Sequence, residues 1–324
     1  MSSKIFVITI DYYSRDSDFF ITLGDKPIKL NVSGKRAIHK PSKSFLLNTE
    51  QQIPADFKDE VPENYMQSML SFIQQQPDVL APSVEFVSFR QVMASIAASP
   101  LLEKEIVLFR WNDINFACWL AEGKTAEPGT EELKNLARGQ TFADLLTEEH
   151  GPKFYKAVNG VIVTMPDQSK MALLISAEID ACLSKTGTSF GIEHVEIKST
   201  LNHKNEWLES ESLYAYWQAV LGNTNKILLG ELDRVEKGSR REKFFIKKFS
   251  SFNTTSLRNQ AGIWPDGGEN RITAFLTYQK ECLTRNEQAI VMKQKRTNGQ
   301  VEWTAEDVDP ESIEFCRWVR NSFT

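Results

Sequence analysis

The chain of 324 residues is 41% apolar and sets 38 Lys and Arg against 43 Asp and Glu, a formal net charge of −5. That is enough apolar material for a substantial core. It is also too acidic an average to mark a nucleic-acid binder, so any phosphate contact has to come from local placement of charge. Nothing approaches the run of about 18 apolar residues that a membrane span needs, and the apolar stretch Ile5 to Ile10 is interrupted by Asp11, short of a signal-peptide core.

The expectation is therefore a soluble, intracellular protein, resident in the nucleus, the cytosol or both. No Pro/Gly/Ser-rich linker, low-complexity tract or internal repeat divides the chain, so residues 1–324 are expected to form a single domain. Cys118, Cys182, Cys282 and Cys316 are scattered, without a Cys-x-x-Cys pair or a histidine at zinc-ligand spacing, which favours reduced thiols.

In chain order, Lys4 to Ile10 and Phe19 to Leu23 read as strands, Glu63 to Gln75 and Val84 to Ala97 as helices. Ile106 to Trp111 and Ile114 to Ala121 read as strands joined tightly through Asn112-Asp113. A helix is predicted over Glu131 to Glu148, followed by strands at Val161 to Met165 and Leu173 to Asp180. The next helix, Glu206 to Leu221, places Trp207, Tyr214, Trp217 and Leu221 near helical spacing, a core stripe more readily than a base-stacking surface. Lys237, Arg240, Arg241, Lys243, Lys247 and Lys248 are then interleaved with Phe244, Phe245 and Phe249. Such a segment is either a solvated hairpin whose phenylalanines face the core or a rim that meets nucleic acid. A helix over Ile272 to Thr284, a hairpin turning at Asn298-Gly299 and a final helix capped by Asp309-Pro310 complete the chain. The fold class is thus α/β of the α+β type: a mixed, largely antiparallel core flanked by helices.

Two short segments carry the chemistry. In Ala177-Glu178-Ile179-Asp180 and Val195-Glu196-Ile197-Lys198, polar and apolar positions alternate, so Glu178 and Asp180 share one strand face and Glu196 and Lys198 another. Lys185 to Ser189 has turn composition, so the two strands are expected to pair and bring the four polar side chains together. Three carboxylates and an ammonium suit a divalent metal on a phosphodiester: hard oxygen ligands for the ion, a lowered pKa for its water, and a cation for the developing charge. A solvated face with weak cross-strand ion pairs has the same pattern. His194 falls on the Glu196 face by alternation and is assigned either substrate contact or a structural hydrogen bond.

With these segments followed by Tyr214-Ala215-Tyr216-Trp217-Gln218 and Asn225 to Gly230, and preceded by Val87-Ser88-Phe89-Arg90, the chain resembles the DXO family of RNA 5′-end decapping nucleases and 5′ to 3′ exoribonucleases, as a divergent member, over roughly residues 45 to 320. The resemblance implies a two-sheet nuclease arrangement of the PD-(D/E)xK kind with the site between the sheets. It implies Mg²⁺ or Mn²⁺ held by Asp180, Glu196 and the backbone carbonyl of Ile197, with Glu178 as a further acid. Lys198 and Gln218 are implied at the nucleophilic water, and Arg90 at a substrate phosphate. The implied substrate is an RNA 5′ end, monophosphorylated or capped. One motif departs. The family's Gly-Φ-x-Φ-Glu is met by Gly139-Gln140-Thr141-Phe142-Ala143, with alanine at the position of a metal-ligand glutamate; Asp144 follows, turned by about 100° of helix. A weakened protein that binds RNA 5′ ends as a sensor or regulator is the alternative, and a DNA-directed nuclease a more distant one.

Other chemistries lack their motifs. Lys185-Thr186-Gly187 has no Ser-x-x-Lys partner, and there is no Gly-x-Ser-x-Gly, Walker A or Gly-x-Gly-x-x-Gly pattern.

Overall fold

β-branched and aromatic runs form the strands of this chain, and amphipathic segments cover them. The structure, a computed structural model, describes residues 4–16, 20–39, 46–48, 62–81, 83–120, 131–148, 154–183, 192–234, 243–297 and 300–323. In order the elements are β1 (Ile5–Arg15), β2 (Ile21–Leu23), α1 (Val32–His39), β3 (Leu46–Asn48), α2 (Pro62–Gln75), β4 (Val84–Phe89), α3 (Arg90–Ala98), β5 (Ile106–Trp111) and β6 (Ile114–Trp119). There follow α4 (Glu131–Leu146), β7 (Phe154–Thr164), β8 (Lys170–Glu178), β9 (Ala181–Cys182), β10 (His194–Thr200), α5 (Lys204–Ser210), α6 (Ser212–Leu221), β11 (Thr224–Arg234) and β12 (Lys243–Phe252). The chain ends with α7 (Thr254–Ala261), α8 (Pro265–Cys282), β13 (Ala289–Thr297), β14 (Gln300–Val308) and α9 (Glu314–Phe323).

Among the described residues the strands make two sheets. A nine-stranded sheet runs β14-β13-β5-β6-β4-β8-β7-β1-β2, and a five-stranded sheet runs β3-β12-β11-β10-β9. Only β4 with β6, β4 with β8, and β10 with β11 pair in parallel. The expected mixed, mainly antiparallel two-sheet core is therefore what forms. No helix among the described residues is long and apolar enough to cross a membrane.

The main core lies between the larger sheet and the helices, where Phe72, Val92, Trp217, Phe275 and Val319 are fully or almost fully buried. A second core holds Phe142, Leu146, Val195, Ile197, Leu228, Phe244 and Phe249. Phe142 stacks on Phe249 with ring centroids 5.9 Å apart. A Cβ on Gly230 would fall 2.3 Å from the Phe142 ring, so only glycine lets α4 lie this close to β11.

Three sequence expectations change. Val84 to Ala97 is a strand followed by a helix, because Val84, Phe86 and Val87 sit in a central parallel strand between β6 and β8, where β-branched and aromatic side chains pack on both faces. Glu206 to Leu221 divides into α5 and α6 at Glu211. The two motif strands do not pair as a hairpin: β8 belongs to the larger sheet and β10 to the smaller, and only two-residue β9 aligns antiparallel with β10, pairing Ala181 with Val195. The predicted turn at Lys185 to Ser189 lies outside the described residues. So do Asn298-Gly299, although Thr297 pairs with Gln300 and fixes a two-residue connection. Asp309 does cap, through the amide of Glu311, but it opens a 3₁₀ turn ahead of α9.

Candidate active site

The two sheets meet at the chain crossover from β8 to β9, and the charged residues gather there. The amide of Ile179 still bonds the Tyr155 carbonyl and prolongs the β7–β8 ladder, while the amide of Cys182 already bonds Ile28. Asp180 lies between. Its Oδ2 accepts the Ile197 amide at 2.6 Å, so the carboxylate extends the edge of β10 just where β9 has ended. A residue's N–H and C=O leave an extended strand on the same edge, so the Ile197 carbonyl faces Asp180 as well. The Ile197 side chain points the other way, into the second core, which turns Glu196 toward the main core and the site.

Glu196 is 1% exposed and held at both oxygens: Arg90 Nη1 donates to Oε2 at 2.6 Å, and Lys198 Nζ stands 2.7 Å from Oε1. Arg90 is itself buried as the first residue of α3. Burial works to raise the Glu196 carboxyl, but Arg90 and Lys198 outweigh it and hold it down at about 2. Asp180 goes the other way. Burial, then the charge of Glu196, pushes it from 3.8 up to about 7. Burial by itself lowers Arg90 and Lys198, yet the neighbouring carboxylates Glu196 and Asp180 raise both.

Glu178 ends β8 beside this pair, engaged elsewhere. Its Oε2 lies 2.8 Å from Nζ of Lys156, the residue directly opposite in β7. Burial raises its carboxyl, and Lys156, followed by Arg90 and Arg15, brings it below its ordinary value. Among the described residues no three His, Cys, Asp or Glu side chains are gathered closely enough to hold a metal ion. Asp180 and Glu196 are brought together with Arg90 and Lys198, and Glu178 is turned to a lysine.

Gln218 is buried on α6. Its backbone carbonyl lies 2.9 Å, and Arg90 Nη1 3.1 Å, from where a Cβ on Gly222 would stand, so the end of α6 rests on the arginine. The Gln218 Oε1 is buried without a hydrogen-bond partner among the described residues. From the other side α4 presents Gln140, Ala143 and Asp144, with Thr147 just beyond its end, to a cavity of about 40 Å³ that Glu178 and Asp180 also line. Ala143 packs partly buried against the second core, which holds Phe142, and lines this cavity beside Glu178 and Asp180. Asp144 lines the cavity too, its Oδ1 accepting from Gln140 Nε2 at 2.9 Å. A larger cavity of about 550 Å³, between α3, the loop 99–104 and α5–α6, includes none of the four clustered charges.

His194 has the structural role. Its Nδ1 reaches the carbonyls of Asn223 at 3.0 Å and Gly222 at 3.3 Å, which can only accept, so Nδ1 carries the proton and Nε2 accepts from the Tyr12 hydroxyl at 2.7 Å. Burial depresses its pKa and keeps it neutral. Trp207, Trp217 and Leu221 are buried core residues, and Tyr214 packs partly buried against them. In the basic segment Phe244 and Phe249 face the second core, and Lys247 pairs with Asp233 at 2.9 Å; Lys237, Arg240, Arg241 and the Lys243 side chain lie outside the described residues. Lys156 is the residue sequence reasoning missed. Its signal was a single lysine inside the apolar run Phe154 to Val158.

The half-buried Asp180, the buried Glu196 and the adjacent Ile197 carbonyl are hard oxygen donors of the kind a divalent cation takes. The chain is thus a two-sheet α+β protein with this centre at the sheet junction, and the solved structures of similar fold include Rai1 and Dxo1. Scheffersomyces stipitis Rai1 in complex with (3′-NADP)⁺ and calcium ion superposes with a TM-score of 0.70 at 12% identity, covering 98% of this chain and 95% of that one. Candida albicans Rai1 in complex with pU5-Mn²⁺ gives 0.69 at 14% identity, covering 99% and 97%. K. lactis Dxo1 in complex with manganese gives 0.61 at 14%, covering 94% and 90%. No family model matches the sequence, and no curated protein does. At these identities the likeness establishes the fold.

Proposed function

We propose that this chain is a divergent DXO-family protein, a metal-dependent RNA 5′-end hydrolase that removes incomplete or non-standard caps, degrades 5′-monophosphate RNA from its 5′ end, or does both. The observation that carries the reading is the buried Glu196 clamped between Arg90 and Lys198, with Asp180 set beside it on the Ile197 amide. A surface network of this composition would be solvated; one this buried has a specific use for its charge. The Rai1 complexes with pU5-Mn²⁺ and with dinucleotides on the same fold support an RNA 5′ end as ligand. Intracellular residence, nuclear or cytosolic, goes with this substrate and with four cysteines that form no disulfide.

In this reading Asp180, Glu196 and the Ile197 carbonyl hold Mg²⁺ or Mn²⁺, which when bound acidifies water and offsets phosphate charge. Arg90 fixes Glu196, and its remaining donors are assigned to a substrate phosphate. Lys198, 28% exposed on the side chain, can release Glu196 and present its ammonium to the attacking water or the developing charge. Gln218 Oε1 is a ready acceptor for that water.

A second reading, a catalytically weakened binder of RNA 5′ ends, is favoured by one feature: Ala143 lines the cavity where the family motif has a glutamate. Incubation of 5′-monophosphate and variously capped RNAs with Mg²⁺ or Mn²⁺, followed on a sequencing gel, separates the two. Released caps or shortened 5′ ends that vanish with Asp180→Ala and Glu196→Ala support the hydrolase. RNA binding without metal-dependent products at any metal concentration supports the binder and refutes the hydrolase.

A further inference from the structure

We infer that Lys156 occupies the place of a second cation in this centre, so that Glu178 serves as counter-ion to an internal ammonium and a single divalent ion binds at Asp180 and Glu196. The inference rests on the nuclease reading above and specifies its metal content. Lys156 is 1% exposed, and its Nζ lies 2.8 Å from Glu178 Oε2 across an unbroken stretch of the β7–β8 ladder. An ammonium held this deep is stable only against a carboxylate, and Glu178 is the one the sheet register delivers. Two-metal hydrolases need a bridging set of carboxylates for ions about 4 Å apart. Here α4 offers Ala143 and an Asp144 whose Oδ1 already accepts from Gln140 Nε2, the cavity they share with Glu178 and Asp180 has about 40 Å³, and Glu178 is turned to the lysine. A Lys–Glu pair and a metal bound to the same Glu are competing uses of one side chain, and the fold has built the first into paired strands.

The test is Mn²⁺ titration calorimetry on the full chain. The wild type is expected to bind one ion. The double variant Lys156→Met/Glu178→Gln, which removes both charges at nearly constant volume, is expected to bind one ion with a dissociation constant within about threefold of wild type, since neither residue touches the metal. Lys156→Met alone exposes Glu178 and is expected to raise the stoichiometry from one to two. If that single variant does not fold, the double variant still decides. Two ions on the wild type, a tenfold or greater loss of Mn²⁺ affinity in the double variant, or a folded Lys156→Met that still takes one ion each overturn the inference. A wild-type chain that binds no Mn²⁺ at all overturns the nuclease reading itself.

Discussion

Arg90→Met is the sharpest test of how the centre is held together. The substitution keeps a long apolar stem in α3 and deletes the guanidinium that sits 2.6 Å from Glu196. Both partners are almost fully buried, at 5% and 1% side-chain exposure, so solvent does not screen the loss. Removing one member of a buried pair costs about 3–5 kcal/mol, because it strands the other charge. Lys198 remains on Oε1 and puts the expected loss toward the lower end. For a chain this long, 1 kcal/mol is worth roughly 2 °C, so the melting temperature should fall by about 6 °C in EDTA. Mn²⁺ should recover more stability in the variant than in the wild type, since the cation replaces charge that the variant lacks. Adding Glu196→Gln should restore much of the loss, because a pair replaced on both sides leaves no orphan ion. Scanning calorimetry with and without Mn²⁺ measures all three proteins. A folded Arg90→Met that melts within 1 °C of wild type in EDTA would refute the buried-pair argument.

Asp180 should make the metal-free protein less stable as pH rises. A folded-state pKa of about 7, above the ordinary 3.8, adds stability that is complete below pH 3.8 and lost as pH climbs through 7, so Asp180→Asn in EDTA should flatten that decline in melting temperature; a parallel wild-type profile would contradict the shift. Lys198→Ala should lower the single-turnover cleavage rate by about 100-fold and RNA affinity far less, as expected of a group acting on the water and the transition state; equal loss of binding at an unchanged rate would make it a phosphate anchor. Ala143→Glu should lower the Mn²⁺ concentration for half-maximal activity by about tenfold, one good ligand's worth, while Asp144→Ala changes it little. Loss of cleavage in Asp144→Ala, with Ala143→Glu neutral, would show that Asp144 has taken over the ligand position.

The class of the fold was legible because strands such as Ile106 to Trp111 and Lys170 to Glu178 are apolar over most of their length. Val84 to Ala97 was not. Valines, phenylalanines and alanines within one apolar run satisfy both periods, and only the parallel neighbours β6 and β8 decide that its first half is extended. The acids and the lysine of the two motifs were legible as residue types at fixed spacing, as was the α4 face carrying Ala143. Lys156 was invisible as a site residue because it joins the centre through the β7–β8 register, set by pairing between strands rather than by any local pattern.

The hairpin expectation failed for a reason that explains the site. Paired in one sheet, Glu178, Asp180, Glu196 and Lys198 would stand on a common face at ordinary cross-strand spacing, where water screens them. The chain instead leaves the nine-stranded sheet after Glu178 and enters the five-stranded sheet at Ala181, so Asp180 sits in the gap between the two. There its carboxylate takes the Ile197 amide that no β9 residue remains to accept. That single hydrogen bond fixes Asp180 one peptide away from Glu196, where burial and the charge of Glu196 push Asp180 up to about 7 while Arg90 and Lys198 hold Glu196 at about 2. Asp180 thus completes the β10 edge and supplies charge to the centre through the same side chain. An asparagine there can keep the first role through its carbonyl oxygen and cannot perform the second, whereas alanine loses both.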